Sequence, residues 1–210
     1  KEGVKPIIGI EAYVTPETAR QDQTRVSWDT NWNPDIDPQH RRRNPNDVSG
    51  GGLITHLTMW AETDEGLVNL MKASTDANLE GRVMRYPRMD KEILAKYSKG
   101  IIASSGCPSG IIQTRLLLGQ FDEALRAAGE LQDIFGRDNF YIEFMDHGLK
   151  IEKQVTDGLL DIAKKLNAPL LATNDSHYVR AEDAGSQDAM LCINSGSTLD
   201  EPGRFKFDGT

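Results

Sequence analysis

Asp175 and His177 close the run LLATNDSHYV at positions 170–179. The run begins as a buried β-strand behind Pro169 and stops in a carboxylate and an imidazole two residues apart. Such a pair is either the polar part of a turn or two ligands of a metal ion. Other side chains of ligand type fall at similar places. Glu11 ends PIIGIE, His56 sits in LITHLTMWA, Cys107 follows IIASSG, and Asp146 and His147 follow FYIEFM. Oxygen, nitrogen and sulfur donors are mixed in this set, which suits zinc or a manganese- or iron-type ion better than calcium. Each residue also has an ordinary reading. Glu11 fits a salt-bridged carboxylate, His56 a satisfied core histidine, Cys107 a small buried hydrophobe and Asp175 a turn residue or helix cap. Spacing alone leaves both readings open. His40 has no assigned role.

The elements that must position these residues follow from periodicity. Apolar runs rich in β-branched and aromatic residues predict strands at 6–14, 53–61, 100–104, 139–145 and 168–173. Helical spacing predicts helices at 65–77, 90–97, 109–118, 121–135, 151–166 and 181–193. The alternation argues for an α/β fold with a largely parallel sheet. In such folds the C-terminal ends of parallel strands converge on one face, where residues distant in sequence can meet. The stretch 17–52 breaks the pattern. It holds Pro34, Pro38, Pro45, Trp28, Trp32, the basic run 41–43 and three consecutive glycines, and is expected to be a solvated, mobile insertion.

Bulk properties narrow the function classes. The chain has 210 residues, 38% of them hydrophobic, and a formal net charge of −8. That charge repels a phosphate backbone on average, so any nucleic-acid work needs a local basic patch, a cation or a neighbouring domain. The two cysteines, Cys107 and Cys192, make no disulfide framework, and a reducing cytoplasm is the expected setting. No apolar run approaches the roughly 18–20 residues of a membrane span. The opening KEGVKPIIGI reads as a helix end, a glycine stop at Gly3 and a strand from Pro6, as expected of a piece of a larger protein.

Several motifs together carry a family resemblance. KPIIGIEAYV, THLTMWAETDEGLVNLMKAS, GIIASSGCPSG, NFYIEFMDHGL, LLDIAKKLN and LLATNDSHYV resemble the polymerase and histidinol phosphatase (PHP) domain. They are most similar to that domain in alpha subunits of bacterial DNA polymerase III, in its actinobacterial form. LCINSGSTLDEPGRFKFDG is similar to the segment that follows it there. The resemblance implies residues 1–194 as PHP domain, with 17–52 inserted, and 195–210 as the start of the next segment. It implies part of a distorted seven-stranded (β/α) barrel lacking its first strands. It further implies up to three divalent metal ions, zinc foremost and manganese or iron next, at one mouth.

By the same resemblance Glu11, His56, Cys107, Asp175 and His177 match metal ligands. Asp146 and His147 match a family motif without a ligand role and would shape or orient the site. The family's first histidine pair, an aspartate and a further Asp-His motif belong upstream of Lys1. The implied activity is metal-dependent phosphoester hydrolysis, used as a 3'–5' proofreading exonuclease in the full-length protein, itself a DNA-directed DNA polymerase. The alternative is a catalytically inactive structural or docking module. The implied partners are DNA, the remaining polymerase domains and other replisome subunits, with no membrane. A free-standing phosphatase is disfavoured by the polymerase-type tail from Leu191 onward.

Overall fold

A computed structural model describes residues 2–28, 49 and 51–207. It contains two compact units, Lys1–Thr173 and Asn174–Thr210. The boundary after residue 194 drawn from the resemblance separates sequence segments; it falls inside the last helix of the second unit.

The first unit carries one seven-stranded sheet. Its strands are β1 (Gly9–Val14), β2 (Thr55–Ala61), β3 (Arg82–Val83), β4 (Tyr86–Met89), β5 (Ile101–Ser104), β6 (Phe140–Phe144) and β7 (Leu170–Ala172). The helices are α1 (Asp64–Glu80), α2 (Lys91–Tyr97), α3 (Ile111–Leu117), α4 (Phe121–Phe135) and α5 (Lys150–Leu166). Strand order across the sheet is β3-β4-β1-β2-β5-β6-β7. The second unit holds a 3-10 turn, Ala181–Asp183, and α6 (Ala184–Ser195).

Local chemistry sets the element ends. Thr63 accepts a hydrogen bond from the Gly66 amide and starts α1, with Asp64 and Glu65 at the positive end of its dipole. Asp90 does the same for α2 through the Ile93 amide. Gly66 is forced by close packing: a Cβ there would lie 1.7 Å from the carbonyl oxygen of Gly100. Asn167 ends α5 in the left-handed conformation.

The sheet is mixed, not largely parallel. β1–β4, β5–β6 and β6–β7 pair in parallel, whereas β1–β2, β2–β5 and β3–β4 pair antiparallel. A parallel neighbour requires a crossover long enough to return the chain, usually through a helix. Among the described residues no helix lies between β1 and β2, and β2 runs back along β1. The β3–β4 hairpin was not expected from periodicity, because RVMRYPRM has no alternation of apolar and polar residues.

Alternation sorts the strands into two faces. Ala12, Leu57, Met59, Ala103, Phe140 and Ile142 are at most 2% exposed and form the core with Leu70, Ala128, Leu159 and Ile162 from the helices. The opposite parity carries Glu11, Tyr13, His56, Thr58, Ser104 and Glu143. Of the stretch 17–52, residues 17–28 are tied down. Glu17 pairs with Arg115 and Arg126, Arg20 with Asp90, and Trp28 is buried under the Arg115 guanidinium. Trp32, His40 and the run 41–43 lie outside the described residues.

Candidate metal centre

The β1–β2 register places Tyr13 opposite His56 and Glu11 opposite Thr58. Directly opposed residues share a face, and so do residues two apart on one strand. Glu11 and His56 are therefore diagonal neighbours on the polar face. Cys107 arrives from the far side of β2. It lies three residues past the end of β5, in a turn where Gly106 has φ +81°. The turn is fastened to β2: the His56 amide donates to the Ser109 carbonyl at 3.1 Å. From below, the Gln113 side-chain amide donates to the Gly106 carbonyl at 2.7 Å.

The three donor atoms converge. His56 Nδ1 lies 2.7 Å from Glu11 Oε1, Cys107 Sγ lies 3.4 Å from His56 Nδ1, and Cys107 Sγ lies 3.7 Å from Glu11 Oε1. Ligand bonds of 2.0–2.3 Å at a tetrahedral zinc give edges of about 3.3–3.8 Å between donors. Two of the three edges match. The third is a carboxylate–imidazole hydrogen bond that the two groups make with each other. The O, N, S donor set, half-exposed on the carboxylate side and buried at the thiol, fits a borderline-soft divalent ion. The Tyr13 ring packs beside the imidazole, 5.5 Å between centroids and tilted by 56°.

Asp175 and His177 belong to the second unit. His177 Nδ1 is 2.7 Å from the Asp175 main-chain oxygen. A carbonyl only accepts, so Nδ1 donates and Nε2 is the unprotonated nitrogen of the neutral ring, the arrangement of a metal-ligating histidine. Asp175 has φ +46°, a conformation that turns the chain sharply after β7. The His177 ring stacks near Phe207, 4.6 Å between centroids.

Asp146 and His147 lie past the end of β6, outside the three-donor group. Asp146 Oδ1 accepts the Gly148 amide at 3.2 Å and shapes that turn. His147 is held twice by Glu152, through its amide at 2.8 Å and its Nδ1 at 2.5 Å. Glu152 is buried and also accepts the Leu149 amide at the start of α5.

Sequence reasoning missed Glu143, a carboxylate 3% exposed in the middle of the polar face. It accepts hydrogen bonds from Ser104 Oγ and Thr173 Oγ1 and so joins β5, β6 and the end of β7. The signal was present in FYIEFM, where an acid takes the parity opposite Phe140 and Ile142. Among the described residues no helix is long and apolar enough to cross a membrane.

The chain matches the family described as the PHP domain over residues 1–147. It is 51% identical over 209 residues to DNA polymerase III subunit alpha of Mycobacterium tuberculosis, covering all of this chain and 17% of that protein. It is 52% identical over 209 residues to the same subunit of Saccharopolyspora erythraea, again 17% of its length. The Thermus aquaticus subunit is 38% identical over 98% of this chain and 15% of its own. The chain thus spans about a sixth of the relatives it matches.

Proposed function

Because this chain belongs to the PHP domain family, we propose that Glu11, His56 and Cys107 are ligands of a divalent metal site that hydrolyses phosphoesters, and that Asp175 and His177 are metal ligands as well. The observation that carries the reading is the convergence of three donors, from strands β1 and β2 and from the turn after β5. We read the seven-stranded mixed sheet as belonging to the family's distorted barrel, with up to three ions. Zinc is the favoured ion, with manganese and iron next. The whole protein is a cytoplasmic DNA polymerase III alpha subunit, and the substrate is the 3' end of a DNA strand, removed as in proofreading.

Divalent cations supply charge neutralisation at the phosphoryl oxygens and activation of water. The chain's own residues prepare the place. Glu11 has two carboxylate oxygens, enough to serve two ions. His56 would offer Nδ1 once a cation takes the place of the proton it shares with Glu11, and His177 would offer Nε2, the nitrogen left open by its bond to the Asp175 carbonyl. Cys107 is held as a ligand by the turn that Gln113 and the His56 amide secure. Thiolate is the form a cation favours. The cations also counter the acidity of the chain.

The test uses the full-length alpha subunit. Elemental analysis and digestion of a mismatched 3' end are run with and without chelator, for wild type, His56→Ala and Asp175→Ala. The variants should lose bound metal and at least about a hundredfold in nuclease rate, while primer extension persists. A docking module predicts the contrary outcome: no chelator-sensitive nuclease in wild type, and melting temperature and extension falling together in the variants.

A further inference from the structure

The β3–β4 hairpin carries chemistry that the metal centre does not use. Residues 81–89, GRVMRYPRM, hold three arginines and no acid in a chain of net charge −8. Arg88 is fully buried, and its guanidinium donates to the carbonyls of Leu53, Arg20 and Asp22. Arg82 and Arg85 stay exposed on either side of Met84. Met84 is 74% exposed with φ +54°. A left-handed backbone is strained for methionine, and here it keeps an apolar side chain in water at the tip.

From this tip a line of rings runs inward. The Arg85 guanidinium carbon lies 5.3 Å from the Tyr86 ring centroid. Tyr86 meets Tyr13 edge-on at 5.1 Å, and Tyr13 meets the His56 imidazole at 5.5 Å. A cationic tip, an aromatic strip and a candidate metal ligand are thus contiguous on one face of the first unit. A single nucleic-acid strand fits such a strip: bases stack on aromatic and guanidinium planes, and phosphates pair with arginine. A small phosphate ester has neither a second phosphate nor neighbouring bases to engage it.

We propose that the β3–β4 hairpin seats a single DNA strand, with Tyr86 and Arg85 receiving a base and Arg82 a backbone phosphate, one or two nucleotides from the end held at the metal centre. The placement of the strand end rests on the metal-site reading; the binding of the strand to the hairpin does not.

The experiment uses the full-length alpha subunit and a single-stranded oligonucleotide carrying 5-iodouracil next to its 3' nucleotide. Irradiation should attach it to the peptide containing Tyr86, and the adduct should vanish in Tyr86→Ala. Adducts confined to other domains overturn the proposal. In the same protein, Tyr86→Ala and the double variant Arg82→Ala/Arg85→Ala should raise KM for oligonucleotide digestion about tenfold. Both should leave kcat and the hydrolysis of bis-p-nitrophenyl phosphate within about twofold of wild type. Tyr86→Phe keeps the ring and should keep the wild-type KM. An unchanged KM in Tyr86→Ala, or a Tyr86→Phe as impaired as the alanine variant, also overturns it. If wild type digests nothing, the nuclease reading fails, and the cross-link still decides the hairpin.

Discussion

The two faces of the β1–β2–β5–β6 region are built from the same strands, one residue apart, and use burial for opposite ends. Ala12, Leu57, Met59, Ala103, Phe140 and Ile142 face the helices and remove apolar area from water. Glu11, His56, Ser104 and Glu143 face the other way and are occupied with one another or with hydroxyls and the Cys107 thiol. The contrast teaches that stability and chemistry are separable here by strand parity. Substitutions on the apolar face should act on folding, and those at the donor cluster on metal.

The largest effect should come from the apolar face. Phe140 is fully buried between β5 and the helices, so Phe140→Ala should cost about 3–5 kcal/mol, read from the urea midpoint of the unfolding transition. A loss under about 1 kcal/mol would break the division of faces. Glu143→Ala tests the middle of the polar face. It strands the Ser104 and Thr173 hydroxyls beside buried backbone and should cost about 1–3 kcal/mol, by the same measurement.

Glu17 sharpens the comparison from outside the sheet. Burial works against its charged form, but hydrogen bonds from Arg126 and Arg115 outweigh this and hold its carboxyl below the ordinary value of 4.5. Glu130 is held low in the same sense, burial being outweighed by Lys91 and Arg126. A carboxyl lowered by folding contributes stability above its unfolded pKa and loses it as pH falls through the folded one. Stability should therefore decline below about pH 4.5. Glu17→Gln should cost about 1 kcal/mol at neutral pH and flatten that acid limb. An unchanged acid limb would assign the decline to other carboxylates.

The smallest change in stability should come from the donor cluster. In chelator-treated protein Cys107→Ser should move the urea transition by less than about 1 kcal/mol, while metal content measured on untreated protein falls. A large loss without metal would mean that Cys107 serves the core rather than the polar face.

Periodicity was enough to locate β1, β2, β5, β6 and β7 and the six helices of the described residues, with ends shifted by a few residues. The reason is that β1, β2, β5, β6 and α1 to α5 bury one stripe or one parity, and that demand is written locally; β7, expected to be buried, leaves Leu170 47% exposed, and α6 buries only Cys192. The β3–β4 hairpin escaped because its principal buried group is Arg88, a guanidinium satisfied by three carbonyls from distant loops. No local pattern announces such a residue. Glu143 escaped because a single acid in a strand reads as solvent-facing until its hydroxyl partners are known.

Residue order alone determined the ligand types and the family likeness: a carboxylate in GIEAY, an imidazole in THLT, a thiol in SGC and the pair in NDSH. Tertiary structure alone decided how three of them meet. Convergence at parallel strand ends explains Cys107, which follows β5, but not His56, which stands near the start of the reversed strand β2. The direction of β2 depends on how the chain returns from β1, a non-local matter of hydrogen-bond pairing and register. Whether Glu11 and His56 become neighbours is set by that register, since a slip of either strand by one residue would turn its own donor into the core and leave the other alone on the polar face.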